Sequence, residues 1–200
     1  MNVTWRINVK VLNMKQVFFI VLALVAVLML MDVRQYIIPS TSNTNQSTKP
    51  DVIDYYFSDF TLQSYNSVGI RQHEVAGQHL KHWQAQEKST INLPQLQSFS
   101  EQGQLESTLQ ASEAILEHKI DHLTLNQAVK IQYAPNTGRD LTLTTDQLQA
   151  DLNNKLITTD RHVVIQSPEV IMQATGLEAK LNEAFLRLPA NVQSVYQIRR

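Results

Sequence analysis

Histidine is the residue type of this chain whose spacing most resembles that of metal ligands. Six are present in 200 residues. Two residues separate His79 from His82, and three separate His118 from His122, as is often seen between zinc ligands. Both neighbourhoods alternate like strands, where residues three apart point to opposite faces and residues four apart lie far from each other. Because no third ligand has a recognisable spacing, the sequence predicts solvated surface histidines and no metal site.

The sequence shows no pattern of a nucleophile or an acid–base pair. No serine lies in a Gly-x-Ser-x-Gly turn or in a Ser-x-x-Lys pair at a helix start. The absence of cysteine excludes a thiol nucleophile, a disulfide framework and a Cys-ligated zinc. Carboxylates fall on strand and turn positions, where binding nearby backbone amides is their common role; they include Asp146, Asp160, Glu169 and Glu178. We therefore expect no enzymatic activity and no cofactor.

Charge and glycine content exclude two further classes of partner. A formal net charge of -1 gives no electrostatic footprint for nucleic acid. Five glycines form neither a GxGxxG nor a GxxxxGK[ST] motif, so no phosphate-binding loop is predicted.

The N-terminal part predicts a membrane anchor. Residues 17–31 read VFFIVLALVAVLMLM without a charge, and neighbouring apolar residues extend this run toward the length of a membrane span. No small-x-small cleavage site follows. Basic residues precede the run, so the positive-inside rule keeps the N-terminus in the cytoplasm. We expect a cytoplasmic segment at 1–15, a transmembrane signal anchor at 16–38 and the remainder of the chain on the far side of that membrane.

A linker and a folded domain are predicted after the anchor. Residues 39–52 are rich in Ser, Thr and Asn and cannot bury enough apolar surface to offset the entropy of ordering. From residue 53 to 200, short runs with the two-residue alternation of strands are separated by turn signals. Residues 106–118 have good helix formers but sit between strand candidates, which favours strand. Tight turns are expected at 134–138 and 152–155.

An all-β domain without covering helices must bury its apolar face on itself. A closed sandwich core is the simpler interpretation of this alternation. If the two walls are splayed, the same side chains line a groove wide enough for lipid. Periodicity alone favours the closed core.

Several motifs occur in a fixed order along nearly the entire chain: Tyr65-x-x-x-Gly69, Pro94 followed by Phe99, LTLNQAVKI, LITTDRHVVI, ATGLEAKL and SVYQIRR. With the basic start, the apolar run and the polar linker, this layout resembles the LptC family of the lipopolysaccharide export system of Gram-negative bacteria. The family often has a Trp that opens the segment matching 105–114, and this chain lacks it, which predicts altered packing there.

The resemblance implies a twisted β-jellyroll of the OstA/LptA type whose interior holds lipopolysaccharide acyl chains. It implies that the lipid comes from the inner-membrane ABC transporter, with its ATPase and permease subunits, and passes to LptA, whose roll continues the sheet edge to edge. Motif glycines correspond to Gly69 and Gly176. The resemblance to the family, together with the alternation of side chains, predicts four lipid-binding positions, namely Phe60, Ile91, Leu186 and Tyr196. The segment matching the family's LptA junction holds Leu186, Leu188, Val192, Tyr196 and Ile198.

The sequence leaves three candidate functions: a lipid conduit, a scaffold and a hydrolase. A lipid conduit requires an open apolar groove, whereas a membrane-anchored periplasmic scaffold requires only a closed core without lipid affinity. A periplasmic hydrolase is disfavoured because no nucleophile or metal constellation is present. We expect the conduit.

Overall fold

The computed structural model describes residues 52–134, 140–180, 182–183 and 185–196. The predicted cytoplasmic segment, the anchor and all of the linker except Val52 lie outside these residues. Within the described ranges, no helix has the length and apolarity needed to cross a membrane. All regular structure there is β-strand.

Alternating apolar and polar side chains suit the pleat of a strand, and the described residues form twelve strands. They are β1 (Ile53–Tyr65), β2 (Arg71–Trp83), β3 (Lys88–Asn92), β4 (Gln95–Phe99), β5 (Leu105–Gln110), β6 (Glu113–Glu117), β7 (His122–Tyr133), β8 (Leu141–Asp151), β9 (Leu156–Gln166), β10 (Val170–Lys180), β11 (Phe185–Arg187) and β12 (Ala190–Tyr196).

The strands form one antiparallel sheet in which three long strands, β2, β7 and β10, each have two successive neighbours along one edge. β2 pairs with β4 through residues 73–76 and with β3 through residues 79–83. β7 pairs with β6 through residues 122–126 and with β5 through residues 130–133. β10 likewise pairs first with β12 and then with β11. This change of partner divides the sheet into two half-sheets that share their long strands.

We name the half-sheets by the histidine of β2 that each contains. The His73 half has the order β1-β2-β4-β5-β7-β8-β9-β10-β12, and the His82 half has the order β1-β2-β3-β6-β7-β8-β9-β10-β11.

Backbone irregularities mark the boundary between the half-sheets. Left-handed φ values occur at Asp59 in β1 (47°), at Gln127 and Ala128 in β7 (59° and 49°) and at Gly176 in β10 (84°). The pairing of β7 with β8 shifts register beside Gln127 and Ala128, as a β-bulge does when it bends a strand. Buried side chains of both half-sheets belong to one core. The sheet therefore bends along this boundary and packs its inner face on itself, which confirms the rolled, all-β jellyroll.

The core lies between the two half-sheets. Val163 is wholly buried, and Val129 and Leu148 are each only 1% exposed. The apolar alternation along β7 also lies inside, at Leu123, Leu125, Val129 and Ile131.

The region at 106–118 forms β5 and β6, so the preference for strand is confirmed. A turn at 152–155 joins β8 to β9, which confirms the predicted hairpin. Of the expected turn at 134–138, residues 135–138 lie outside the described residues.

Candidate functional site

The inner face of the sheet is organised in rows that run across the strands. Residues paired directly on neighbouring antiparallel strands point to the same face, so a chain of such pairs traces one row. In the His73 half, one apolar row contains Leu62, Val75, Leu96, Leu109, Ile131, Leu143, Ile165 and Met172. In the His82 half, another contains Phe57, Leu80, Ile91, Ala114, Leu125 and Leu148. We call these two sets the apolar rows.

A polar row lies at the margin of the His73 half, on the same face and one step farther from the bend. Consecutive pairs across β1, β2, β4, β5 and β7 join Ser64, His73, Ser98, Ser107 and Tyr133. We call this set the serine row. Ser98, Ser107 and Tyr133 are buried. Hydroxyl and imidazole groups therefore occupy positions that are apolar in the neighbouring row.

The hydrogen bonding of the serine row is incomplete within the described residues. The hydroxyls of Ser98 and Ser107 are 2.8 Å apart and bond to each other. Ser64 Oγ and His73 Nδ1 are buried, and neither has a hydrogen-bond partner among the described residues. Burial lowers the pKa of His73 below 6.5, so its ring is neutral at pH 7. Polar atoms buried in this way destabilise a fold unless something binds to them.

One carboxylate adjoins the serine row. Glu106 lies next to Ser107 in β5, and the backbone carbonyl of Glu106 accepts a hydrogen bond of 2.9 Å from the backbone amide of Ala134. Burial raises the pKa of Glu106. Burial, and then the charge of Glu106, raise the pKa of Tyr133. The local field therefore disfavours added negative charge.

A second polar group occupies the opposite margin, in the His82 half. Ser89 Oγ lies 2.9 Å from His82 Nδ1 and 2.8 Å from His118 Nε2, so one hydroxyl bridges two rings. Tyr55 stacks on His82 with ring centroids 4.6 Å apart, and Asp54 Oδ1 lies 3.9 Å from His82 Nε2. We call His82, Ser89 and His118 the histidine cluster.

The histidine cluster corrects the expectation that the histidines are solvated. His82 is only 1% exposed and Ser89 3% exposed. His79 is exposed, because residues three apart in a strand point to opposite faces. The two-residue alternation of the strand could have predicted that His82 points inward, since it is two residues from the buried Leu80. In the part of the chain that the structure describes, no three His, Cys, Asp or Glu side chains are grouped to hold a metal.

Two of the predicted lipid-binding residues meet over a glycine. Phe60 is buried and Ile91 is partly buried against the core. A Cβ built on Gly77 would lie 2.6 Å from Ile91 Cγ2 and 2.9 Å from Phe60 Cε1. Only glycine leaves room for both side chains here. Nothing in the local spacing of the sequence indicated this contact.

The sequence model of the family described as "Lipopolysaccharide-assembly, LptC-related" matches residues 18–197. This chain belongs to the LptC family. LptC-family proteins act in lipopolysaccharide transport and are anchored in the inner membrane with a periplasmic domain. No curated protein sequence matches the chain.

The two glycines of the LptC-like motifs have left-handed backbones. Gly69, with φ +81°, closes a turn in which Asn66 Oδ1 accepts a hydrogen bond from the amide of Ile70. Gly176, with φ +84°, lies in β10, and a Cβ there would be 2.6 Å from Pro189 Cγ. Both positions therefore require the conformational freedom of glycine.

The other predicted site residues of this LptC-family chain lie near its C-terminal edge. Leu186 in β11 and Leu188 pack partly buried against the core. Val192 and Tyr196 in β12 are exposed, Tyr196 by 69%, and Tyr196 pairs with Val170 of β10. Ile198 lies outside the described residues. The structure thus places Phe60, Ile91 and Leu186 on or beside the core and Tyr196 at the surface.

The sheet of this LptC-family chain is open within the described residues. β1 pairs with β2, and β11 and β12 each pair with β10. No pairing joins β1 to β11 or β12 in the described ranges. β1 also exposes large apolar side chains, which are Ile53, Tyr55, Tyr56, Phe57, Leu62 and Tyr65.

Proposed function

We propose that this chain binds the acyl chains of lipopolysaccharide on its apolar rows and conducts the lipid from one sheet edge to the other. The supporting observation is the apolar row of the His73 half, which crosses from β1 to β10 with aliphatic side chains at every step. Such a row follows the length of the roll. Lipopolysaccharide would enter from the inner-membrane ABC transporter and leave toward LptA.

The physical basis of such a conduit is the hydrophobic effect. Each buried CH₂ of an acyl chain is stabilised by about 0.8 kcal/mol relative to water. Movement along a continuous apolar surface is therefore nearly level in free energy, whereas passage through water is steeply unfavourable. The chain needs no catalytic group for this role, because ATP hydrolysis in the transporter would give the movement its direction.

The C-terminal edge supports the proposed junction with LptA. β12 is exposed throughout and pairs with β10, and a strand edge with unpaired N–H and C=O groups can accept a partner strand. Val192 and Tyr196 are exposed there, while Leu186 and Leu188 link the edge to the core. With Ile198, these residues form the proposed LptA-binding segment. Residues 16–38 would hold the other edge near the transporter.

The scaffold remains the second candidate, and the dense packing of the core favours it. Val163 has no exposed surface, and Leu148 and Val129 have almost none. If the half-sheets never part, the apolar rows serve only the stability of the fold, and the protein would connect partners without binding lipid.

Photo-crosslinking in cells distinguishes the two candidates. A photoreactive amino acid is placed at Ile91, on the inner face, and as a control at Lys130, whose neighbours Val129 and Ile131 point inward. Lipopolysaccharide adducts at Ile91 and none at Lys130 are expected of a conduit. A third probe at Tyr196 reports whether that exposed position contacts lipid or LptA. Protein adducts at Tyr196 without lipid at Ile91 would replace the conduit with the scaffold.

A further inference from the structure

The serine row lies where a bound amphipathic lipid would change from apolar to polar. On each strand, the member of the serine row is two residues from the member of the apolar row of the His73 half, on the side away from the bend. Two residues of a strand advance by about 6.6 Å. The row is also at the strand ends farthest from the bend, so groups bound there are nearest to the mouth of the rolled sheet.

The chemistry of the row indicates the kind of group that it binds. Its hydroxyls and the neutral ring of His73 can each donate or accept a hydrogen bond. None of its five members carries a positive charge at pH 7, and the partly buried Glu106 adjoins it. An anionic phosphate would therefore find no cation in this row and a carboxyl group beside it. Uncharged amide, ester and hydroxyl groups match both the donors and the acceptors.

Ser64 and His73 give the second reason for assigning a ligand here. Ser64 Oγ and His73 Nδ1 are paired neighbours on β1 and β2, and both are buried without a partner among the described residues. The adjoining hydroxyls of Ser98 and Ser107 already bond to each other. A ligand group at the β1 end of the row would complete the bonding of two neighbouring atoms at once.

We propose that the serine row binds the uncharged amide, ester and hydroxyl groups that join the acyl chains of the transported lipid to its sugar headgroup. This inference rests on the proposed function. It makes the row the element that sets how deeply the lipid lies, with hydrocarbon on the apolar rows and linkage groups at the margin.

The test compares two probes on the full chain in detergent. Lipid A carries amide and ester linkages to its acyl chains, whereas N-phenylnaphthylamine is an apolar dye without a carbonyl or hydroxyl. The double variant Ser98→Ala/Ser107→Ala removes both partners of one hydrogen bond, which leaves neither atom unsatisfied. A second variant, His73→Leu, removes the ring atom that lacks a partner. We expect lipid A affinity to fall about fivefold for each hydrogen bond lost, with dye affinity unchanged.

The control pair lies directly beside the first variant on the other face of the same strands. Gln97 and Thr108 are paired between Leu96–Leu109 and Ser98–Ser107, so their side chains point away from the inner face. Gln97→Ala/Thr108→Ala should bind both probes as the wild type does. Thermal unfolding followed by circular dichroism confirms that each variant is folded.

Three outcomes contradict the assignment in different ways. Unchanged lipid A affinity in both folded serine-row variants shows that the row does not touch lipid, while the conduit survives. A parallel loss of both probes shows that the variants damaged the apolar surface instead. If the wild type binds no lipid A and gives no lipid adduct at Ile91, the proposed function itself fails.

Discussion

The serine row and the histidine cluster are two polar groups on the inner face of the same roll, at opposite margins. In the histidine cluster, Ser89 bridges His82 and His118, and Tyr55 covers the ring of His82. In the serine row, two adjacent buried atoms lack a partner among the described residues. One margin satisfies its polar atoms within the protein, and the other leaves atoms for something else to satisfy.

This difference separates structural polarity from functional polarity. A buried polar group that is fully bonded fixes the packing around it. A buried group without a partner reduces stability, and it persists where binding or chemistry compensates. The histidine cluster is therefore expected to matter for folding and the serine row for binding, and the following measurements test that separation.

The largest effect should come from His82→Ala. Removing this ring opens a cavity under Tyr55 and breaks a buried hydrogen bond, which should lower the free energy of unfolding by about 2–4 kcal/mol. His73→Ala should cost about 1 kcal/mol, near the average for point variants. Urea unfolding of the full chain in detergent measures both. Equal losses would abolish the distinction between the margins.

Gly77 lies between the two margins on β2 and should be almost as sensitive. Gly77→Ala forces its methyl group against Ile91 and Phe60, and such overpacking costs about 1–3 kcal/mol. Gln78→Ala, at the neighbouring exposed position, is the matched control and should leave urea unfolding unchanged. A neutral Gly77→Ala would show that Phe60 and Ile91 move apart easily, which would favour a groove that opens.

Serine hydroxyls provide the closest comparison between the margins. Ser89→Ala leaves ring nitrogens of His82 and His118 without their bridge and should cost about 1–2 kcal/mol. Ser98→Ala/Ser107→Ala removes donor and acceptor together and should be roughly neutral. Thermal unfolding of the two variants measures the contrast. The reverse ranking would assign the structural role to the serine row.

The smallest effect is a pH dependence from His73. Burial lowers its pKa below 6.5, so the unfolded chain binds this proton more readily than the folded chain. The contribution of His73 to stability is complete above pH 6.5 and falls as the pH drops below that value, with a slope of at most about one proton. Burial raises the pKa of Glu106 above 4.5, so its contribution has the opposite sign and falls as the pH rises past that value. His73→Phe should flatten the profile just below pH 6.5, and an unchanged profile would contradict a buried His73.

Sequence alone accounts for the strands but not for the rows. Alternation at Leu123, Leu125 and Ile131 predicts β7 because the pleat itself has a period of two. The serine row depends on register across five strands, and Ser98 and Ser107 look like ordinary polar positions within each strand. The family resemblance and the alternation placed Phe60 and Ile91 among the predicted lipid-binding positions. Their contact over Gly77 could be seen only in the three-dimensional structure.

The bend was also beyond prediction. Gln127 and Ala128 have left-handed backbones. Glycine and proline are the usual sequence signals of an interrupted strand, and neither residue type occurs at these two positions. Their backbone is set by the two half-sheets that β7 must join, which is long-range information. The alternation along β8 shifts for the same reason. Odd-numbered Leu141 and Leu143 are buried before the bend, and even-numbered Leu148 and Ala150 are buried after it.

The order of the strands has a consequence for how the domain forms. Each pairing among the described strands joins strands that are at most three positions apart in chain order, and the most distant is β3 with β6. Such a sheet needs few distant loop closures, and proteins with local pairing fold quickly. Since β1 and β2 precede the other strands in the chain, they can pair first, and each later strand can add to strands that are already paired. The roll can therefore grow outward, with β11 and β12 completing it last.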